Sequence, residues 1–238
     1  RRSSDLHYNP VVRRMKELVA SGKLGNLLSF KATNTTLSPV WAFPWQGVPE
    51  KSYGKRVPLR EGDARFRGGA LCDHPHIFDL IREVTGSEFE TVYASAAPNI
   101  RPDIEEEDML SVIGRMQNGV VFSLDPSWSN REERLTVPGP GWEIAPKRME
   151  VNLILCGDKG TLMTDCFGPN TYHNGAPNDR YTVNYTYFDE WVGLIDEFVD
   201  NIRLGRTPKI HLRRHRETIR VMNAVYDSIA SGRVVSLV

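Results

Sequence analysis

This 238-residue chain has few cysteines, no excess charge of either sign and no long apolar run. Its three cysteines, Cys72, Cys156 and Cys166, form no C-x-x-C pair and no zinc-ligand spacing. They read as small, reduced, mostly buried thiols of a cytoplasmic protein rather than as a disulfide framework. Thirty basic and thirty acidic residues give a formal net charge of +0. That balance offers no footprint for nucleic acid or for an anionic membrane. No run approaches the roughly 18 apolar residues that would cross a bilayer.

Several catalytic signatures are also missing. A dinucleotide site needs a Gly-rich turn between a strand and a helix, so that the pyrophosphate meets backbone N–H groups at the helix start. No G-x-G-x-x-G occurs. The nearest stretch, Gly157-Asp158-Lys159-Gly160-Thr161, falls between two apolar runs and reads as a hairpin. It is not a P-loop, and no G-x-S-x-G nucleophile elbow appears. Cofactor binding is therefore not expected from these residues. The chain opens on Arg1-Arg2-Ser3-Ser4, without an initiator Met or a signal-peptide pattern, which gives the expectation of a piece cut from a longer protein.

What is present is an ordinary globular composition, 40% hydrophobic and 25% charged. Asn9-Pro10 reads as a capped helix start, with Met15, Leu18 and Val19 on one face and Gly22 and Gly25 at its end. Leu27 to Thr36 reads as a strand. Ile77, Leu80, Ile81 and Val84 form a helical stripe closed by Gly86. Strands are expected over 89–97, 109–116, 120–126, 149–156 and 160–164, with Asn118-Gly119 as a hairpin turn. Apolar residues from Phe188 to Ile202 repeat at helical spacing, and a last helix ends at Gly232. Helices at both ends and strands between them imply an α+β fold, an open and largely antiparallel sheet with helices on one face.

Two Pro-rich stretches, 38–67 and 130–147, read as loop insertions in a domain spanning 1–238. The first carries Trp41, Trp45, Lys55 and Arg56. Rings stack on sugar faces and bases hold hydroxyls or acidic groups, so these are candidate substrate contacts. The alternative is a surface insertion that packs its own aromatics.

The densest chemistry is Cys72-Asp73-His74-Pro75-His76-Ile77-Phe78-Asp79. Pro75 places His76 in the first turn of a helix and Asp79 one turn on, on the same face. Three readings stay open for Asp73, His74, His76 and Asp79. One is an acid/base or substrate site, one is a metal site, and one is a helix cap with locally bonded histidines. Glu105-Glu106-Glu107-Asp108 reads as a solvated turn or a second site. Trp128, at a strand end, reads as core or as pocket wall.

In order and spacing these pieces resemble the C-terminal domain of the glucose–fructose oxidoreductase / inositol dehydrogenase (Gfo/Idh/MocA) family. The pieces are Asn9 to Leu18 running into Gly25, Gly68-Gly69-Ala70-Leu71-Cys72-Asp73 with His76 and Asp79, Glu107-Asp108, Ser127-Trp128, and Gly157 to Leu162. Phe198 to Pro208 and Ala224 to Val235 look like its closing helices. The resemblance implies a dihydrodipicolinate-reductase-like open mixed sheet, with a homodimer or homotetramer assembled through its exposed face. It implies NAD or NADP bound mainly by an N-terminal Rossmann domain absent here, with a catalytic lysine supplied from that domain.

The implied substrate is a sugar or polyol, and the implied activity is that of an NAD(P)-dependent dehydrogenase, with this piece inactive alone. His76 would carry the proton, with Asp73 assisting and His74 as the other base. Asp79 and Trp128 join Trp41, Trp45, Lys55 and Arg56 at the substrate. The family spaces its first Asp four residues before the His, whereas Asp73 lies three before His76. The alternative function is a non-catalytic binding or assembly domain of a degenerate member. A metal-dependent lyase or hydrolase is the third reading.

Overall fold

The computed structural model describes residues 5–37, 69–100, 107–130, 149–166, 170–175, 178–183, 189–208 and 212–238. A short 3-10 helix, Asp5–Tyr8, leads into α1, Pro10–Ala20. Asn9 caps α1 as its residue type demands: Oδ1 accepts from the N–H groups of Val11 at 2.9 Å and Val12 at 3.1 Å. Its amide Nδ2 also donates to the Cys166 carbonyl at 2.8 Å, so one fully buried side chain fixes both the helix start and a distant strand end. Asn9→Ala should therefore lower stability by about 1–2 kcal/mol, read from the midpoint of urea unfolding.

Among the described residues nine strands form one sheet in the order β8-β7-β6-β5-β1-β4-β3-β2-β9. They are β1 Leu27–Leu37, β2 Phe89–Ala96, β3 Leu110–Met116, β4 Val121–Asn130, β5 Met149–Gly157, β6 Gly160–Asp165, β7 Asn170–Gly175, β8 Asp179–Thr182 and β9 Val235–Ser236. β1 pairs parallel with β4, and every other pairing is antiparallel. A parallel pair needs a long crossover, and here the chain between β1 and β4 includes α2, Ala70–Asp73, and α3, His76–Thr85.

The sheet is α+β, mixed and open, as the distribution of helices and strands implies. Beyond the sequence expectation, β4 continues past Pro126. Proline has no N–H for the ladder, and at that point the β3 pairing has lapsed to a single Met109–Ser127 bridge.

One face of the sheet is covered by α1, α3 and α5, Leu212–Ser231. Alternate residues Phe30, Ala32 and Asn34 of β1, Phe122 and Leu124 of β4, and Leu153 and Leu155 of β5 point into this core. Phe89 meets Phe122 edge-on, with ring centroids 5.0 Å apart. The other face carries Tyr93, Ile113, Val121, Met163 and Tyr172, all exposed, among polar neighbours.

Helix α4, Asp189–Arg203, turns its apolar stripe outward. Val192, Ile195, Phe198 and Ile202 are each about 60% exposed, whereas Glu190 and Asn201 are buried. Among the described residues no helix is long and apolar enough to cross a membrane.

Candidate functional site

The Gly-rich turn is shaped by an acid from another part of the chain. A Cβ on Gly69 would come within 2.3 Å of the Glu107 carboxylate, so any larger residue there would have to displace that carboxylate. The Ala70 N–H donates to the Glu107 carbonyl at 2.9 Å, and the Leu71 N–H donates to Glu107 Oε1 at 3.2 Å. Tyr226 of α5 donates its hydroxyl to the same oxygen at 3.0 Å. Burial, followed by the neighbouring Cys72 and Glu107, pushes the Tyr226 phenol well above its usual range. Glu107, part of an acidic run that reads as a solvated turn, is thus a structural anchor for α2.

From α2 the chain passes through His74 and Pro75 into α3. Asp73 Oδ2 accepts from the Trp128 indole N–H at 2.9 Å. Trp128 is buried on β4, and its own backbone N–H donates to the Asp108 carbonyl at 2.7 Å. His74 is buried too, with Nε2 3.0 Å from the Ser127 carbonyl, so this nitrogen donates. Desolvation lowers the His74 pKa and keeps the ring neutral near physiological pH.

His76 differs. Its side chain is 17% exposed, and Nδ1 lies 3.4 Å from Asp5 Oδ1.

Asp79 is fully buried, and both carboxylate oxygens are engaged. Oδ2 is 2.6 Å from His7 Nε2, while Oδ1 accepts from Arg214 Nε at 3.2 Å and lies 3.6 Å from Arg82 Nη1. Glu83, one turn further along α3, is bound by Lys16, by Arg214 Nη2 at 2.8 Å and by His7 Nδ1 at 3.8 Å. Arg82 spreads over Glu88, the Arg214 carbonyl and Thr218.

Burial alone would lower the His7 pKa, but Asp79 and Glu83 outweigh it and raise it above 6.5. Burial alone would raise the Asp79 pKa, and His7 and then Arg214 outweigh that and lower it. The neighbouring His7 ring is the largest effect holding Glu83 well below the carboxylate range, with Lys16 and Arg214 adding to it.

The residues expected at a site therefore separate. Asp73, His74 and His76 sit together at the α2–α3 junction, beside Trp128. Asp79 and Trp128, expected on the substrate, are placed inside the fold, one in an ionic cluster and one under Asp73. Trp41, Trp45, Lys55 and Arg56 lie outside the described residues. Among the described residues no group of three or more His, Cys, Asp or Glu is placed to hold a metal ion. Asp5 and His7 carried no signal in the sequence, since their partners are roughly seventy residues away and only the fold brings them together.

Neither glycine-led turn among the described residues offers a dinucleotide phosphate a free helix start. Gly157 to Gly160 joins two antiparallel strands, with no helix behind it. The start of α2, the other glycine-led turn, already holds the Glu107 carboxylate where an anion would have to sit.

A family model described as the GFO/IDH/MocA C-terminal domain matches residues 12–163. Solved structures share the fold at low identity. A levoglucosan dehydrogenase in complex with NADH and levoglucosan superposes with a TM-score of 0.72 at 16% identity, covering 98% of this chain and 64% of that one. For an Agrobacterium radiobacter oxidoreductase in complex with NAD+, L-tartaric acid and magnesium the values are 0.71, 17%, 98% and 63%. For the aldose-aldose oxidoreductase of Caulobacter crescentus complexed with glycerol they are 0.70, 18%, 98% and 62%. The chain thus spans a little under two thirds of the length of these structures. No curated protein matches it.

Proposed function

This chain belongs to the GFO/IDH/MocA C-terminal domain family, and we propose from there that it is the substrate-binding part of an NAD(P)-dependent oxidoreductase. The substrate class is a sugar or polyol, reacting at a secondary alcohol or ketone. Three solved relatives in fold carry levoglucosan with NADH, L-tartaric acid with NAD+, or glycerol, which supports a polyhydroxylated ligand and a nicotinamide partner. The nucleotide would be held by a separate domain, and the hydride step belongs there. This chain's own part is to bind the substrate and to move a proton, so the isolated piece should not turn over.

The observation that carries the proton role is the contrast between two neighbouring imidazoles. His74 is buried, with its Nε2 committed to a backbone carbonyl, whereas His76 is partly exposed and its Nδ1 has no hydrogen bond among the described residues. We assign proton exchange with the substrate hydroxyl to His76. Asp73, Trp128 and Asp79 act as positioning residues, through the indole contact and the ionic cluster. Trp41, Trp45, Lys55 and Arg56 remain the proposed substrate contacts. The whole of 1–238 is read as one substrate-binding and oligomerisation domain of a cytoplasmic protein.

A second reading, a non-catalytic assembly domain, is favoured by one fact: Oδ2 of the Asp73 carboxylate already accepts from the Trp128 indole. Assay of the longer protein with NAD and NADP against sugars and polyols separates the two. Substrate-dependent reduction of either nucleotide supports the dehydrogenase, and its absence across the panel supports assembly alone. The open sheet face, with Tyr93, Ile113, Val121, Met163 and Tyr172 exposed, should also join copies into a homodimer or homotetramer. Sedimentation equilibrium at micromolar concentration should give two or four protomers, and a monomer would contradict that reading.

A further inference from the structure

We propose that Asp5, and not Asp73, is the carboxylate that orients His76. It fixes the imidazole as the Nδ1–H tautomer and leaves Nε2 to take the substrate hydroxyl proton. This inference rests on the proton role proposed above for His76.

Three observations carry it. Asp73 turns one carboxylate oxygen elsewhere. It closes α2, Pro75 intervenes before α3 begins at His76, and its Oδ2 accepts the Trp128 indole hydrogen at 2.9 Å. The one-residue shortening before His76 thus coincides with a carboxylate turned towards β4.

The Nδ1 atom of His76 is itself buried and makes no hydrogen bond. A buried ring N–H with no acceptor costs about 1–3 kcal/mol, so a proton placed there needs one. Asp5 Oδ1 lies 3.4 Å away, at ion-pair distance and a few tenths of an ångström beyond a good hydrogen bond.

Asp5 is also held in place from both sides. It is 6% exposed, and its Oδ1 accepts the Leu6 N–H at 2.9 Å. Two residues on, His7 is 2.6 Å from Asp79. The 3-10 segment therefore grips the first turn of α3 at two points, Asp5 on His76 and His7 on Asp79. A carboxylate on one ring nitrogen is the arrangement that selects the tautomer at the other. In the forward direction the substrate O–H bond breaks, the Nε2–H bond forms and the electron pair stays on oxygen. The Nδ1 proton remains on the ring throughout.

The test is a long-range proton–nitrogen NMR correlation of the nitrogen-15-labelled chain, with the His76 signals assigned by their loss in His76→Gln. In the neutral ring of the wild type, Nδ1 is expected to be protonated and Nε2 bare. Asp5→Ala should shift the population towards Nε2–H, the form that free imidazole side chains favour. Asp5→Asn should keep Nδ1–H, because its amide oxygen still accepts.

A wild-type ring in the Nε2–H form, or a population unchanged by Asp5→Ala, overturns the proposal. If Asp5→Ala fails to fold, the wild-type assignment alone decides. The outcome is separable from the proton role itself. Nδ1–H in the wild type together with full turnover in His76→Ala removes the base but keeps the orienting pair. Nε2–H together with lost turnover in His76→Ala removes the pair and keeps the base.

Discussion

Replacing Asp79 with alanine is expected to lower the stability of the chain by about 3–5 kcal/mol, the cost of leaving buried charge without its partner. Asp79 is completely buried and faces His7, Arg82 and Arg214 together. Removing it takes away the acceptor of His7 Nε2 and Arg214 Nε at a fully buried position, while Arg82 keeps Glu88 and Thr218. The cluster also joins three parts of the chain: the 3-10 helix through His7, α3 through Asp79 and Glu83, and the start of α5 through Arg214.

The same cluster predicts how stability follows pH. His7 has a raised pKa in the folded state, so its contribution is fully present below about 6.5 and is lost as pH rises through the higher folded value. Asp79 and Glu83 have lowered pKa values, so theirs is present above about 4.5 and is lost as pH falls through the lower folded values. The cluster's own contribution should therefore peak between about pH 4.5 and 6.5 and decline on both sides, on top of an acid-side loss from the buried, neutral His74. Urea midpoints taken from pH 3 to 9 should trace that shape. Asp79→Asn should flatten both arms, and an unchanged profile in that variant would remove the cluster from the account.

A second large effect is expected in turnover. An acid/base side chain contributes roughly 10²–10⁴-fold when it sits within reach of the proton it moves. His76 occupies the first turn of α3, and the polar groups beside it are otherwise engaged: His74 on the Ser127 carbonyl, Asp73 on Trp128. His76→Ala in the longer protein should therefore lower kcat far more than it raises KM. The loss follows from a group acting in the transition state rather than from uniform binding. His74→Ala should act differently, through stability, because a buried imidazole holding a strand-end carbonyl is removed along with its packing.

Much of this fold can be read from local chemistry. Asn9-Pro10 announces α1 because capping and a missing N–H are both properties of two adjacent residues. Asn118-Gly119 announces the β3–β4 hairpin in the same way, and Gly119 does adopt a positive φ of 90°. Where local signals were weak, the structure adds elements. β7, Asn170–Gly175, is almost wholly polar, and its inward Thr171 and His173 gave no apolar alternation to detect. The apolar repeat of α4 marks a helix correctly but says nothing about direction, and the structure turns Phe198 and Ile202 outward.

The site divides along the same line. The Asp73–Asp79 run stands out in sequence because its polar residues are contiguous, and the structure keeps Asp73, His74 and His76 together. What each residue does depends on partners far along the chain: Asp79 on His7 and Arg214, Asp73 on Trp128, Gly69 on Glu107. Spacing within the motif cannot distinguish a carboxylate facing substrate from one facing a buried histidine. For Asp79 the decisive partners arrive from the 3-10 segment before α1 and from the start of α5.

The most direct test of the account is nucleotide reduction by the longer protein, wild type against His76→Ala, with NAD and NADP and a panel of sugars and polyols. The account predicts substrate-dependent reduction in the wild type and a loss of at least ~100-fold in the variant. Turnover that survives the substitution, or a wild type that reduces neither nucleotide with any substrate, would contradict it.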